Sequence, residues 1–138
     1  RPMRLTFNPN ALKMLVALAT SLAAGCRYCQ SHMANLSSIW QVPDEKIAAI
    51  WELDRSEAFS AAEKAAIGLA LKAGMVPNAA SAEDFDALRP HFDEAQVVEI
   101  VATMSATEVS AASCTGAPAW PRRAARRRTW STASSPDP

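Results

Sequence analysis

The chain has 138 residues, enough for one domain, and its 49% hydrophobic and 20% charged residues argue for a packed core over wholesale disorder. Charge balances overall but not locally: residues 1–114 hold nine Lys/Arg against thirteen Asp/Glu, net −4, and residues 115–138 hold five Arg against one Asp, net +4. The acidic body offers no basic face to nucleic acid. No stretch reaches the roughly 18 uninterrupted apolar residues of a membrane span, and three cysteines do not make a secreted disulfide framework.

Only four glycines and 7% aromatics, among abundant Ala and Leu, favour helices over sheet. Residues 1–8 read as an irregular lead-in. The chain begins with Arg1 instead of Met, which reads as a fragment or processed form. Asn8 and Pro9 start a helix as a cap and a first-position proline. Leu12, Leu15, Val16, Ala19, Leu22 and Ala23 then recur at helical spacing as one apolar face, and Gly25 ends the run. With Arg1 and Arg4 ahead of it, the stretch from Ala11 to Gly25 imitates a signal-peptide core. A cysteine pair directly at its end argues instead for a domain helix, and a cytoplasmic location is expected.

A second helix is predicted from about Cys26 to Trp40. Pro43-Asp44 punctuates the chain before a short amphipathic helix carrying Ile47, Ile50 and Trp51. Ser60-Ala61-Ala62-Glu63 is a capping box. It opens a helix to about Ala73, closed by Gly74 and then Pro77. Ser81 and Asp84 start a short helix with Phe85 and Leu88, and Pro90 lies near its end. Asp93 and Gln96 begin the last clear helix, with Val97, Ile100, Val101 and Met104 on one face. No alternating strand pattern appears, so the fold class is all-α. The domain is expected over 1–112. Residues 113–138, poor in bulky aliphatics and holding the cluster Arg122, Arg123, Arg126, Arg127 and Arg128, read as a disordered low-complexity tail. An RNA-binding or targeting arm is the functional alternative there. Trp120 and Trp130 carry no assignment, and Cys114 reads as an incidental thiol.

The chemistry concentrates in Cys26-Arg27-Tyr28-Cys29-Gln30-Ser31-His32. Positions three and four apart share a helix face, so Cys26 and Cys29 lie side by side with His32 one turn beyond. A cysteine in the first turn of a helix has its thiolate stabilised by unpaired N–H groups and the positive end of the dipole. That argument favours Cys26. His32 is placed to take a proton from Cys29 or return one to a leaving alkoxide. Arg27 adds cationic support if it points inward. Two alternatives stay open: zinc held by Cys26, Cys29 and His32 with distant His91 or Cys114, although structural zinc usually shows a second close pair; or two core cysteines beside a hydrogen-bonded histidine. His91, in an Arg-Pro-His-Phe turn, reads as a surface residue with no nearby partner. Dithiol redox chemistry is the favoured reading.

The segment Leu12–Leu36, LKMLVALATSLAAGCRYCQSHMANL, resembles the alkylhydroperoxidase D-like and carboxymuconolactone decarboxylase-like family, in particular its small members with a Cys-x-Tyr-Cys motif and a trailing His. The likeness continues through FSAAEKAAIGLALKAGMVPNAASAEDFDALRPHFDEAQVVEIVATMS and covers roughly residues 8–105. It implies a compact helical bundle, a homo-oligomer (trimer or hexamer), and a thiol-dependent peroxidase of antioxidant defence that reduces a small hydroperoxide and is recycled by a dithiol or protein reductant. No cofactor and no metal are implied. By resemblance Cys29 attacks the peroxide, Cys26 closes the disulfide and suits exchange with the reductant, and His32 relays protons, with Tyr28 and Arg27 in support. The chain departs from the family at Met14, where a relay glutamate is expected, at Tyr28, where a histidine is expected, and in His32 following Cys29 by three residues instead of four. Slower peroxidase turnover is therefore expected. The text from ATEVSAASCTGAPAWPRRAARRR onward departs too, with a composition that a shifted reading frame in GC-rich DNA would produce. The alternative from a different class is a non-enzymatic helical assembly or binding protein with a vestigial or metal-holding cysteine pair.

Overall fold

The computed structural model describes residues 9–115, with side chains through residue 112. The lead-in, the expected tail from residue 116, its arginine cluster, Trp120 and Trp130 lie outside the described residues, as does the side chain of Cys114. Six helices follow one another: α1 (Pro9–Ala24), α2 (Arg27–Ile39), α3 (Asp44–Ala49), α4 (Ala61–Ala73), α5 (Ala82–Asp86) and α6 (Glu94–Thr115). A 3-10 turn over Ile50–Glu52 extends α3, and the described residues contain no strand. The fold is all-α.

α1 is the hub. It packs against α2, α4 and α6, so the apolar face expected from its sequence is too narrow. Every residue from Leu15 to Leu22 is buried, Ala17, Leu18, Thr20 and Ser21 included. The two buried hydroxyls are satisfied within the helix: Thr20 Oγ1 donates to Val16 O at 2.9 Å and Ser21 Oγ to Ala17 O at 2.8 Å. Polar atoms with partners are tolerated in a core; unpartnered ones are not. Leu15, Val16, Ile67, Leu69 and Leu88 lie in one hydrophobic cluster with Ile100 and Met104 of α6. Full burial of a Leu, Val or Ile contributes about 1.5–3 kcal/mol before chain entropy is set against it.

α4 comes close to α1 at its C-terminal end. A Cβ on Gly74 would lie 2.7 Å from the Thr20 carbonyl oxygen and 2.9 Å from Ala23 Cβ. The backbone angle there (φ −73°) is ordinary, so proximity and not backbone freedom selects glycine. Gly68, by contrast, sits inside α4 with only a Leu53 methyl at 3.9 Å from such an atom.

The start of α4 is held by the expected capping box: Glu63 N–H donates to Ser60 Oγ at 3.2 Å, and Ser60 N–H to Glu63 Oε2 at 2.9 Å. The same carboxylate, 5% exposed, receives Lys46 Nζ from α3 at 2.6 and 2.8 Å. Phe59 lies under that ammonium, 5.8 Å from its ring centroid. Asp93 and Gln96 cap α6 reciprocally, at 2.8 and 3.0 Å.

Two details correct the sequence reading. The 3-10 tightening after α3 buries Ile50 but leaves Trp51 52% exposed, off the apolar face expected for it. α5 stops at Asp86, and Leu88 reaches the core from the turn that follows. α6 runs to Thr115.

Two outcomes follow for stability. Gly74→Ala should lower it by about 1–3 kcal/mol through overpacking against the α1 backbone, whereas Gly68→Ala should raise it by about 0.5–1 kcal/mol by helix propensity; urea midpoints of the two variants check both signs. In α5, Asp84 accepts from Lys72 of α4, which, with the Ser81 amide and hydroxyl at 2.9 Å, holds the carboxyl below the ordinary 3.8 against a smaller opposing effect of burial. A carboxyl lowered on folding stabilises above its ordinary value and loses that contribution as pH falls through the lowered one. Asp84→Asn should thus cost under about 1 kcal/mol at neutral pH, since Lys72 is half-exposed and screened. The gap to wild type should close as denaturation is followed to pH values below 3.8.

Candidate dithiol site

The site is built at the junction of α1 and α2, which is one glycine wide. Gly25 takes a left-handed conformation (φ 74°), and two hydrogen bonds close α1 behind it: Gly25 N–H to Leu22 O and Cys26 N–H to Ser21 O, both 3.2 Å. This is a Schellman ending, and the left-handed position is one where glycine alone is unstrained. Cys26 then starts the next helix. Its carbonyl accepts from Gln30 N–H at 3.0 Å and its Sγ accepts from Cys29 N–H at 3.2 Å. One residue thus terminates α1 with its amide and caps α2 with its sulfur. Gln30 Nε2 adds a long contact to the same Ser21 oxygen at 3.4 Å.

Cys26 and Cys29 are joined as a disulfide, with Cα atoms 5.3 Å apart. They are 2% and 4% exposed and form a small cluster of their own with Ala24 and with Ala111 of α6. α6 therefore meets the sulfur pair at Ala111. Ala111 is the contributor that sequence reasoning missed; its signal was only a lack of bulk near the end of the expected domain.

The remaining expected residues are not drawn into this cluster. Tyr28 and His32 are exposed and stack on each other one turn apart, centroids 6.0 Å and planes 4° from parallel. Among the described residues, His32 makes no hydrogen bond to either cysteine. Arg27 is exposed. Met14, where the resemblance expects a glutamate, is half-buried on α1. His91 is not the partnerless surface residue expected: it is half-buried, with its ring edge-on to Phe92 at 6.4 Å. Among the described residues no three His, Cys, Asp or Glu side chains gather closely enough to hold a metal ion, and no helix is long and apolar enough to cross a membrane. The buried Glu63, the other carboxylate of note, is engaged by Lys46 and the Ser60 amide and has a structural task.

A buried disulfide at a helix start, spaced Cys-x-x-Cys, stores two electrons when reduced and can release them to an electrophile.

Comparison with known proteins supports the fold that carries this site. The debrominase Bmp8 without ligand superposes with a TM-score of 0.72 at 28% identity, over 83% of this chain and 62% of that one. A cysteine-to-alanine variant of the same debrominase, in complex with 2,3,4-tribromopyrrole, gives 0.70 at 27% identity, over 78% and 59%. The chain thus spans about three-fifths of the debrominase's length. A protein of unknown function from Agrobacterium tumefaciens, provisionally assigned to antioxidant defence as AhpD, gives 0.71 at 21% identity, over 76% and 73%, a likeness of fold. No curated protein matches the sequence. The carboxymuconolactone decarboxylase family model matches residues 9–72, from the first residue of α1 to the penultimate residue of α4 and so across both cysteines, and over that stretch the chain is similar to that family.

Proposed function

We propose that the protein is a dithiol reductase in which Cys26 and Cys29 give two electrons to an electrophilic bond of a small substrate and close a disulfide. The observation that carries this reading is the buried Cys26–Cys29 bridge at the start of α2. Both sulfurs lie within one helical turn, so the bridge opens and closes without moving a helix.

The first substrate class is a hydroperoxide. One sulfur attacks the distal oxygen, the O–O bond breaks, an alcohol leaves with a proton, and the second sulfur displaces water to form the disulfide. An external dithiol or protein reductant then restores the pair. His32, one turn beyond Cys29, has a neighbouring ring in Tyr28 to steady it and serves the proton transfers when substrate is bound; hydrogen bonds of this kind tighten in the reacting complex. Arg27 and Tyr28, between the two cysteines in the chain, stand in support. The protein works as a homo-oligomer, with the exposed faces of α2 and α6 available for assembly.

A second substrate class has its own observation, the match to a debrominase at 27–28% identity. The same two electrons would replace a ring C–Br bond by C–H, releasing bromide and a proton as the disulfide closes. Both classes use the dithiol identically and differ in the leaving group.

Thiol counting with mass mapping, before and after one equivalent of an organic hydroperoxide, tests the proposal. Two thiols should disappear into a Cys26–Cys29 peptide, and Cys29→Ser should reduce hydroperoxide consumption to background. Undiminished consumption in that variant would overturn the reading, and thiols inert to both substrate classes would leave a non-enzymatic binding protein. Bromide release from a brominated pyrrole decides between the classes. His32→Gln should lower turnover by about 10²-fold or more if it moves the proton.

A further inference from the structure

Large apolar side chains lie exposed at two places in the fold whose charge differs, and one of them matches a segment of this same chain. We propose that residues 116–138, with their arginine cluster, dock on the surface formed by the end of α2, α3 and the 3-10 turn. The inference is independent of the dithiol reading.

The first place runs from Ile39 to Glu57. Ile39 is 64% exposed and Trp40 42%, and Trp51 stands out on the 3-10 turn beyond α3. An exposed tryptophan carries a large apolar area that gains nothing until something covers it. The same stretch is acidic: Asp44, Glu45, Glu52, Asp54 and Glu57 are all exposed, against one exposed cation, Arg55. Lys46 is turned inward onto Glu63, so five carboxylates face a single guanidinium and the surface carries −4. The second place, around Met75, Val76 and Phe85, lacks this imbalance. There Lys72 and Arg89 pair with Asp84 and Asp86, and with Glu83 the net charge is only −1.

Residues 116–138 lie outside the described residues, and their sequence holds Arg122, Arg123, Arg126, Arg127 and Arg128 against Asp137 alone. Their +4 complements the −4 of the first place and has no counterpart at the second. Arginine suits the first surface in two ways, since its guanidinium pairs with carboxylates and stacks on tryptophan faces. The negative end of α2, at Trp40, adds to the attraction. The segment also starts within reach. Ala111, near the end of α6, meets Cys26 and Cys29 at the start of α2, and from there to Trp40 is about 20 Å along the helix. Arg122 is seven residues past Thr115 and Arg128 thirteen, so an extended chain carries them up to about 23 and 43 Å.

Trypsin cleavage at the arginine cluster of the full chain, read by mass mapping, tests the docking. A synthetic peptide of residues 116–138 sets the undocked rate. At low ionic strength the chain should be cut between Arg122 and Arg128 at least about fivefold more slowly than the peptide, and about 1 M salt should abolish the difference. Glu52→Lys should speed cleavage of the chain about threefold or more, whereas Glu83→Lys, an equal change of charge at the second place, should leave it unaltered. A second measurement leaves the acidic surface intact. Arg122→Gln, with the same change at the other four arginines, should shift the indole resonances of Trp40 and Trp51 as about 1 M salt does. Equal rates for chain and peptide, a difference that salt does not touch, or equal effects of the two charge reversals overturn the proposal. Indole resonances indifferent to the arginines do the same. So does protection that fades on about tenfold dilution, which assigns the segment to a second copy.

Discussion

Everything in this fold is arranged around a helix with almost no outside. α1 meets α2, α4 and α6, and a helix enclosed by three neighbours must be apolar or internally satisfied all round, which explains the inward hydroxyls of Thr20 and Ser21 bonded back to their own helix. Close enclosure needs small residues where backbones approach. Gly74 provides that at the end of α4, where even a methyl would collide with the Thr20 carbonyl. The candidate chemistry is placed by the same helix, because the turn that ends α1 also starts α2.

That turn economises on residues. With only Gly25 between the closing residue of α1 and Cys26, the cysteine serves both helices: its amide completes the ending of one, and its sulfur and carbonyl begin the other. A sulfur is a weaker acceptor than the Ser or Asp oxygen usual at such a position. Its presence there makes sense once the atom has a second task. Comparable economy appears at Glu63, whose single carboxylate caps α4 and anchors Lys46 of α3.

Much of this was legible in the sequence because it rests on local rules. Pro9, Gly25, Ser60 with Glu63, Asp93 with Gln96, and the three-residue spacing of Cys26 and Cys29 each encode a backbone event within a few positions. What escaped depends on partners far along the chain. Ala17 and Leu18 looked like the outer side of α1 because nothing local says that three helices surround it. Lys46 carried no sign that it would reach Glu63, and Ala111 drew no assignment because its value lies in being small beside a distant disulfide. Gln41 escaped for a different reason. It ends α2 in a left-handed conformation (φ 61°) with the same pair of hydrogen bonds found at Gly25, but without the glycine that makes such an ending readable. For the candidate site, spacing gave the sulfurs and the helix that carries them, whereas the stacking of His32 on Tyr28 depends on rotamers that a sequence does not state.

The separation of the sulfur cluster from the main core has a bearing on durability. The leucines, isoleucines and valines that hold the bundle together belong to one set of contacts, and Cys26 and Cys29 belong to another, with two alanines for company. On the proposed dithiol function, the bond that is made and broken lies outside the foundations of the bundle. Here the bridge spans three residues within one turn and ties no distant segments together. Opening the bridge therefore breaks no link between distant parts of the bundle.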